Sequence, residues 1–103
     1  MTFKEYCNRL NIGIESIDIA TLSTLIEQIK SRINTNNQIL LIGNGGSAAN
    51  CYHIVGDYTK TFSLINKKIN IKCFSDNTCY LSAAANDLDY SQVYEILISR
   101  RQY

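Results

Sequence analysis

Apolar residues recur at helical spacing through the first third of the chain, then give way to one unbroken apolar run. Phe3, Tyr6, Cys7, Leu10 and Ile14 follow a helical repeat, and Thr2 with Glu5 has capping-box spacing. A first helix is expected from about residue 3 to 13, weakened at its end by Gly13. Leu22, Leu25, Ile26, Ile29 and Ile33 mark one face of a second helix. Asp18 is placed to cap it, and Lys30 and Arg32 suit its negative end. The polar run 34–38 (NTNNQ) should stop it. These two amphipathic helices could pack on a sheet or meet the helices of another subunit.

The unbroken run is Ile39, Leu40, Leu41 and Ile42, which reads as a strand buried on both faces. Gly43, Asn44, Gly45 and Gly46 come next, then Ser47 as a candidate N-cap, with Ala48 and Ala49 favouring helix. A strand, a glycine turn and a helix start make a ready anion site. Free backbone N–H groups and the positive helix end converge there, and glycine leaves room for a ligand. A plain βα turn is the bland alternative, but three glycines in four positions exceed what it needs. No lysine succeeds the glycines as in a Walker loop, and position 48 is alanine where a dinucleotide fingerprint has its third glycine. A mononucleotide or a phosphorylated sugar suits so short a loop better than a dinucleotide.

Further along, a third helix is expected from Ser47 to about Thr61, with Ala48, Cys51, Tyr52 and Val55 on its apolar side. Ile69, Ile71 and Cys73 alternate with Asn70 and Lys72, giving a second strand over 69–74. Lys72 suggests that one face or end is less buried than in the first strand. Ser75 or Asp76 is expected to cap the next helix, with ligand contact as the alternative. That short helix, over 80–85, should break at Asn86 and Asp87, and Asp89 and Gln92 can cap a last helix carrying Val93, Tyr94, Ile96 and Leu97. The order is α-α-β-α-β-α-α, with a right-handed crossover joining two parallel strands. Two strands make a thin sheet, and Arg100, Arg101, Gln102 and Tyr103 add no closing element. The pattern therefore looks like the first half of a doubly wound domain.

Composition changes this picture little. The chain has 103 residues, 46% of them apolar, and a formal net charge of +1. One small domain is expected, with no charge-based reason for nucleic acid binding. No apolar run is long enough for a membrane span, and no apolar leader opens the chain, so a cytoplasmic protein is expected. Cys7, Cys51, Cys73 and Cys79 show no CxxC spacing and read as buried thiols. Lys60, Lys67, Lys68 and Lys72 read as a solvated loop and strand edge, with attraction of anionic substrates as the alternative.

His53, the one histidine, stands four residues before Asp57, so both project from one helix face. The pair could share a proton or a metal, one or two turns from the glycine loop, where acid–base work on a small sugar phosphate is plausible. Two ligands do not complete a zinc site, and a local hydrogen bond is the plainer reading. Asn86 and Asp87 fall near the same crevice if the strands are parallel, although an ordinary turn explains them too.

Taken together, GNGGSAANCYH at 43–53, Asp57, and SAAANDLDY at 82–90 resemble the sugar isomerase (SIS) domain family, and within it the phosphoheptose isomerases. The resemblance runs over essentially the whole chain, leading helices included. It implies a flavodoxin-like α/β/α sandwich with a parallel sheet, here apparently truncated. Residues 1–36 would be leading helices and 37–103 the first half of the sandwich. It also implies a homo-oligomer, dimer or tetramer, joined through the leading helices. The implied activity interconverts sedoheptulose 7-phosphate and D-glycero-D-manno-heptose 7-phosphate through an enediol, for lipopolysaccharide, capsule or surface-layer glycans. By resemblance Asn44, Gly45, Gly46 and Ser47 contact substrate, with Ala85, Asn86 and Asp87 at a second contact segment. His53 matches a zinc ligand. Asp57 stands where the family usually has a glutamate that binds metal and acts as the catalytic base, so the arm is one methylene shorter. The family's serine/threonine-rich phosphate loop, and a later glutamine and histidine, lie beyond the equivalent of residue 103. The zinc site would therefore be incomplete, and catalysis impaired or absent. The competing expectations are a non-catalytic phosphosugar-binding module and a structural or oligomerisation remnant.

Overall fold

The computed structural model describes residues 1–100; Arg101, Gln102 and Tyr103, which the sequence offers no element for, lie outside the described residues. Two compact units divide the chain, Met1–Ser31 and a second that begins at Arg32.

The first unit holds α1 (Phe3–Glu15) and α2 (Ile19–Lys30). Both start as local chemistry dictates. Thr2 and Glu5 form a reciprocal capping box, so two helix-start donors are satisfied. Asp18 accepts from the Ala20 and Thr21 amides, each at 3.2 Å. The Thr21 hydroxyl, ahead of those amides, holds the Asp18 carboxyl below its ordinary range. Helix α1 runs through Gly13 and closes at Ser16, two residues past the expected end. Its apolar stripe is open to solvent: Phe3 is 83% exposed and Ile14 58%.

The second unit is a β-α-β crossover with two short helices after it. Strand β1 (Gln38–Leu41) pairs parallel with β2 (Asn70–Cys73), Gln38 opposite Asn70 and Leu41 opposite Cys73. Helix α3 (Gly46–Leu64) crosses between them, one turn longer than the sequence pattern suggests. After β2 come a 3-10 turn (Phe74–Asp76), α4 (Thr78–Asp87), a second 3-10 turn (Tyr90–Gln92) and α5 (Val93–Ser99). This is a helix-rich α/β fold with a small two-stranded parallel sheet, consistent with part of an SIS-like α/β fold. No described helix is long and apolar enough to cross a membrane.

Several local expectations are corrected. Strand β1 is half-buried along its length and Ile42 is 46% exposed, so the apolar run is not covered on both faces. A two-stranded sheet offers too few neighbours to enclose it. Lys72 does not mark a less buried face or end, because β2 is half-buried from Asn70 to Lys72, as β1 is throughout, and ends in the buried Cys73. Asn77, rather than Ser75 or Asp76, caps α4, its Oδ1 accepting from the Tyr80 amide at 2.9 Å. Helix α4 also continues through Asn86 and Asp87 and ends at Leu88. The core of the unit is small: Cys51, Cys73, Phe74, Ala84 and the fully enclosed Val93. Burial pushes the Cys51 thiol up, ahead of the neighbouring Cys73. Cys7 is half-buried and Cys79 exposed, so only two of the four thiols are core residues.

A reciprocal clasp closes the far end of the strands. Asn34, at φ 59°, donates its amide to the Lys68 carbonyl at 2.8 Å and accepts the Lys68 amide on Oδ1 at 2.8 Å. Asparagine tolerates this left-handed conformation better than most residues.

Candidate functional site

The parallel register brings the end of β1 beside the turn after β2, and the site grows from that junction. Gly43 leaves the strand and passes directly under the first turn of α3. A Cβ at this position would stand 2.6 Å from the Ser47 carbonyl carbon and 2.8 Å from the Ala48 amide nitrogen. Its glycine therefore makes room for the protein's own backbone, not for a ligand.

Gly45, at φ 55° and ψ −122°, is the residue that turns the chain into the helix. It is the N-cap, in place of the expected Ser47, and no side chain caps α3. The Ser47 and Ala48 amides turn inward to the Asn44 carbonyl, at 3.0 and 3.4 Å. The Gly45 and Gly46 amides have no partner among the described residues. Two backbone donors at a helix start are thus left open, the arrangement that favours an anion.

Beside them lies a shallow pocket of about 290 Å³. Asn44, Gly45 and Ala48 form one wall; Ser75, Thr78 and Leu81 form another; Tyr52, Tyr90 and Tyr94 complete it. Its polar groups are linked. Ser75, 5% exposed, donates from Oγ to the Gly43 carbonyl at 2.8 Å and lies 3.1 Å from the Tyr94 hydroxyl. The Tyr94 hydroxyl is also 3.1 Å from that carbonyl and 3.3 Å from Asn44 Oδ1. Tyr90 donates its hydroxyl to Asn44 Oδ1, and Tyr52 donates to the Ser75 carbonyl. The Tyr94 hydroxyl, ahead of desolvation, raises the Tyr90 phenol above its ordinary range; desolvation leads the same rise at Tyr52. Both phenols are therefore neutral donors at neutral pH. Sequence reasoning does not single out any of these three tyrosines as site residues; they come from α3, the second 3-10 turn and α5. Their abundance, seven in 103 residues, is a signal without an address.

The other anticipated residues stand apart from this pocket. His53 Nε2 is 2.9 Å from Asp57 Oδ2 on α3, and Lys60 Nζ is 3.3 Å from Asp57 Oδ1. Lys60, then the His53 charge, holds the Asp57 carboxyl below its ordinary range. The His53 and Asp57 side chains are 78% and 50% exposed. As metal donors they are two, and the described residues contain no group of three or more histidine, cysteine or acidic side chains able to hold an ion. Zinc normally takes three or four protein ligands, so the pair by itself is a hydrogen-bonded His–Asp pair that supplies two of them. Ala85, Asn86 and Asp87 form the C-terminal turn of α4 outside the pocket lining, with Asn86 Nδ2 bonded to Asp87 Oδ1 at 3.1 Å.

A parallel β-α-β unit with open amides at a glycine turn beside a hydroxyl-lined pocket defines an α/β protein whose helix start is of the kind that can seat an anion. No family model matches the chain, and no solved structure matches it. Sequence relatives do. A protein named probable phosphoheptose isomerase from Thermoplasma acidophilum is 35% identical over 86 residues, 84% of this chain and 44% of that protein. Its namesake from Thermoplasma volcanium is 30% identical over 91% of this chain and 48% of its own length. The phosphoheptose isomerase of Clostridium acetobutylicum is 30% identical over 75% of this chain and 39% of its own. The chain is a partial relative of the phosphoheptose isomerases. It spans less than half the length of each of these three proteins.

Proposed function

We propose that this chain carries the sugar-phosphate-binding part of a phosphoheptose isomerase-like site. The observation that carries this reading is the pair of unpaired amides at Gly45 and Gly46 beside the pocket wall of Asn44. Those donors, the Asn44 side chain and the positive end of α3 would seat the acceptor oxygens of sedoheptulose 7-phosphate or a similar phosphosugar. Gly46 and Ser47 would shape the approach to the helix start. Ala85, Asn86 and Asp87 would form a second contact segment.

In this lineage the reaction is proton transfer between C1 and C2 of the sugar through an enediol. Asp57 is the carboxylate we assign to it. Lys60 and His53 favour its ionised form, so it would act as a base at neutral pH. Its short arm and its exposed position outside the pocket lining favour binding with slow or no turnover in this chain alone. His53 would serve as a zinc ligand only with donors beyond those described. The exposed apolar stripe of α1 supports a homo-oligomer through the leading helices.

Calorimetry with sedoheptulose 7-phosphate, alongside an isomerisation assay with and without zinc, tests the reading. Saturable binding that Asp57→Ala leaves intact, with little turnover, is expected. Absence of phosphosugar binding overturns the site assignment; turnover at an ordinary enzymatic rate overturns the binding-without-catalysis part.

A further inference from the structure

We infer that Tyr90, with Tyr94 behind it, is a positioning residue that locks the Asn44 carboxamide so that its amino group is the face offered to ligand. The inference deepens the phosphosugar reading and rests on it for the ligand's identity.

A carboxamide can present either an oxygen acceptor or a nitrogen donor, and an exposed asparagine ordinarily samples both. Here the oxygen is occupied. Tyr90 donates its hydroxyl to Asn44 Oδ1, and the Tyr94 hydroxyl lies 3.3 Å from the same atom. The hydrogens can be assigned consistently. Ser75 gives its hydroxyl hydrogen to the Gly43 carbonyl, and Tyr90 supplies its own to Oδ1. Asn44 Nδ2 has no partner among the described residues. It stands in the turn that also leaves the Gly45 and Gly46 amides open. Turning the carboxamide over would lose the Tyr90 bond and put Oδ1 where Nδ2 now stands in that turn. The tyrosines thus convert an ambivalent side chain into a third donor. Three donors gathered at one turn, Asn44 Nδ2 and the Gly45 and Gly46 amides, suit a phosphoryl or carboxylate oxygen better than an ammonium group.

This geometry also predicts how Tyr90 can be removed without unfolding the chain. Tyr90 is 48% exposed, and Tyr90→Phe deletes one hydroxyl and little packing. Affinity for sedoheptulose 7-phosphate should fall about three- to tenfold, the range set by one neutral hydrogen bond. In an Asn44→Ala background the same change should have no further effect, because the residue it positions is gone. Equal losses in both backgrounds would mean that Tyr90 acts on the pocket without Asn44, and would overturn the inference.

A second readout needs no ligand. In the free protein, NMR should show the Asn44 side-chain amide as one ordered pair of resonances close to the Tyr90 ring. In Tyr90→Phe that pair should shift and exchange faster with solvent. If Asn44 is held in this way and no phosphosugar binds, the proposed function falls while the positioning role stands. If phosphosugar binds but the Asn44 resonances ignore Tyr90→Phe, the positioning role falls alone.

Discussion

Replacing Gly43 with alanine adds a single methyl group where the structure has no space for it. The new Cβ would meet the Ser47 carbonyl carbon at 2.6 Å, its oxygen at 2.7 Å and the Ala48 nitrogen at 2.8 Å. Ordinary contact begins at 3.4 Å, so the overlap is about 0.8 Å and every atom met is backbone. No side chain can swing aside, so the first turn of α3 must lift from the strand end. Overpacking of this kind costs about 1–3 kcal/mol. In a domain of this size that lowers the melting temperature by roughly 4–8 °C per kcal/mol. The displaced turn carries the Gly45 and Gly46 amides with it, so phosphosugar affinity should fall together with stability. Urea denaturation of Gly43→Ala, read against wild type at matched m-value, gives the first quantity and calorimetry the second. A midpoint within about 0.5 kcal/mol of wild type, with affinity unchanged, would refute the claim that Gly43 is reserved for the helix backbone.

The neighbouring glycines should respond differently. Gly45→Ala has open space but a positive φ, and should cost about 1–3 kcal/mol through backbone strain alone. Gly46→Ala has space and helical geometry, and should be neutral or stabilising by up to about 1 kcal/mol in thermal melts. Ser75→Ala removes a buried donor to the Gly43 carbonyl and should lower stability by about 1–2 kcal/mol in urea. Asp57 gives a pH test of sign. Its carboxyl is depressed by Lys60 first and His53 second, so its contribution is full above the ordinary carboxylate range and is lost as pH falls through the depressed folded value. Lys60→Ala should raise the Asp57 titration seen by NMR, and its denaturation midpoint should converge with wild type only in acid; an unmoved titration would contradict the assigned cause.

What could be read from the sequence was mainly what is settled within one turn of chain. Thr2–Glu5 and Asp18 act on amides two or three residues away, so spacing alone locates the helix starts. Parallel pairing of the two strands was legible as well, because a helix-length segment separates them. Burial was misjudged at Ile42, since four apolar residues in a row do not show how many elements will cover them. The Gly45 cap was missed because Ser47 satisfies the usual preference while the turn geometry demanded a positive φ two residues earlier. At Asn86–Asp87 the turn propensity lost to continuing helix hydrogen bonds, as the Leu88 amide still reaches the Ala84 carbonyl at 3.0 Å. The tyrosine side of the pocket was invisible for a different reason. Tyr90 and Tyr94 reach Asn44 across 46 and 50 residues, and no local pattern encodes a contact at that range.

The Gly43 carbonyl has a mechanical consequence. Because one oxygen faces both the Ser75 hydroxyl and the Tyr94 hydroxyl, β1, the turn after β2 and α5 are tied to a common point. The Asn34–Lys68 clasp fastens the opposite end of the same two strands. A crossover pinned at both ends cannot widen by sliding one strand past the other. Of the three tyrosines at the pocket, Tyr90, 48% exposed, is the one most open to solvent, so its bond to Asn44 Oδ1 is the contact expected to loosen first in an otherwise tied frame.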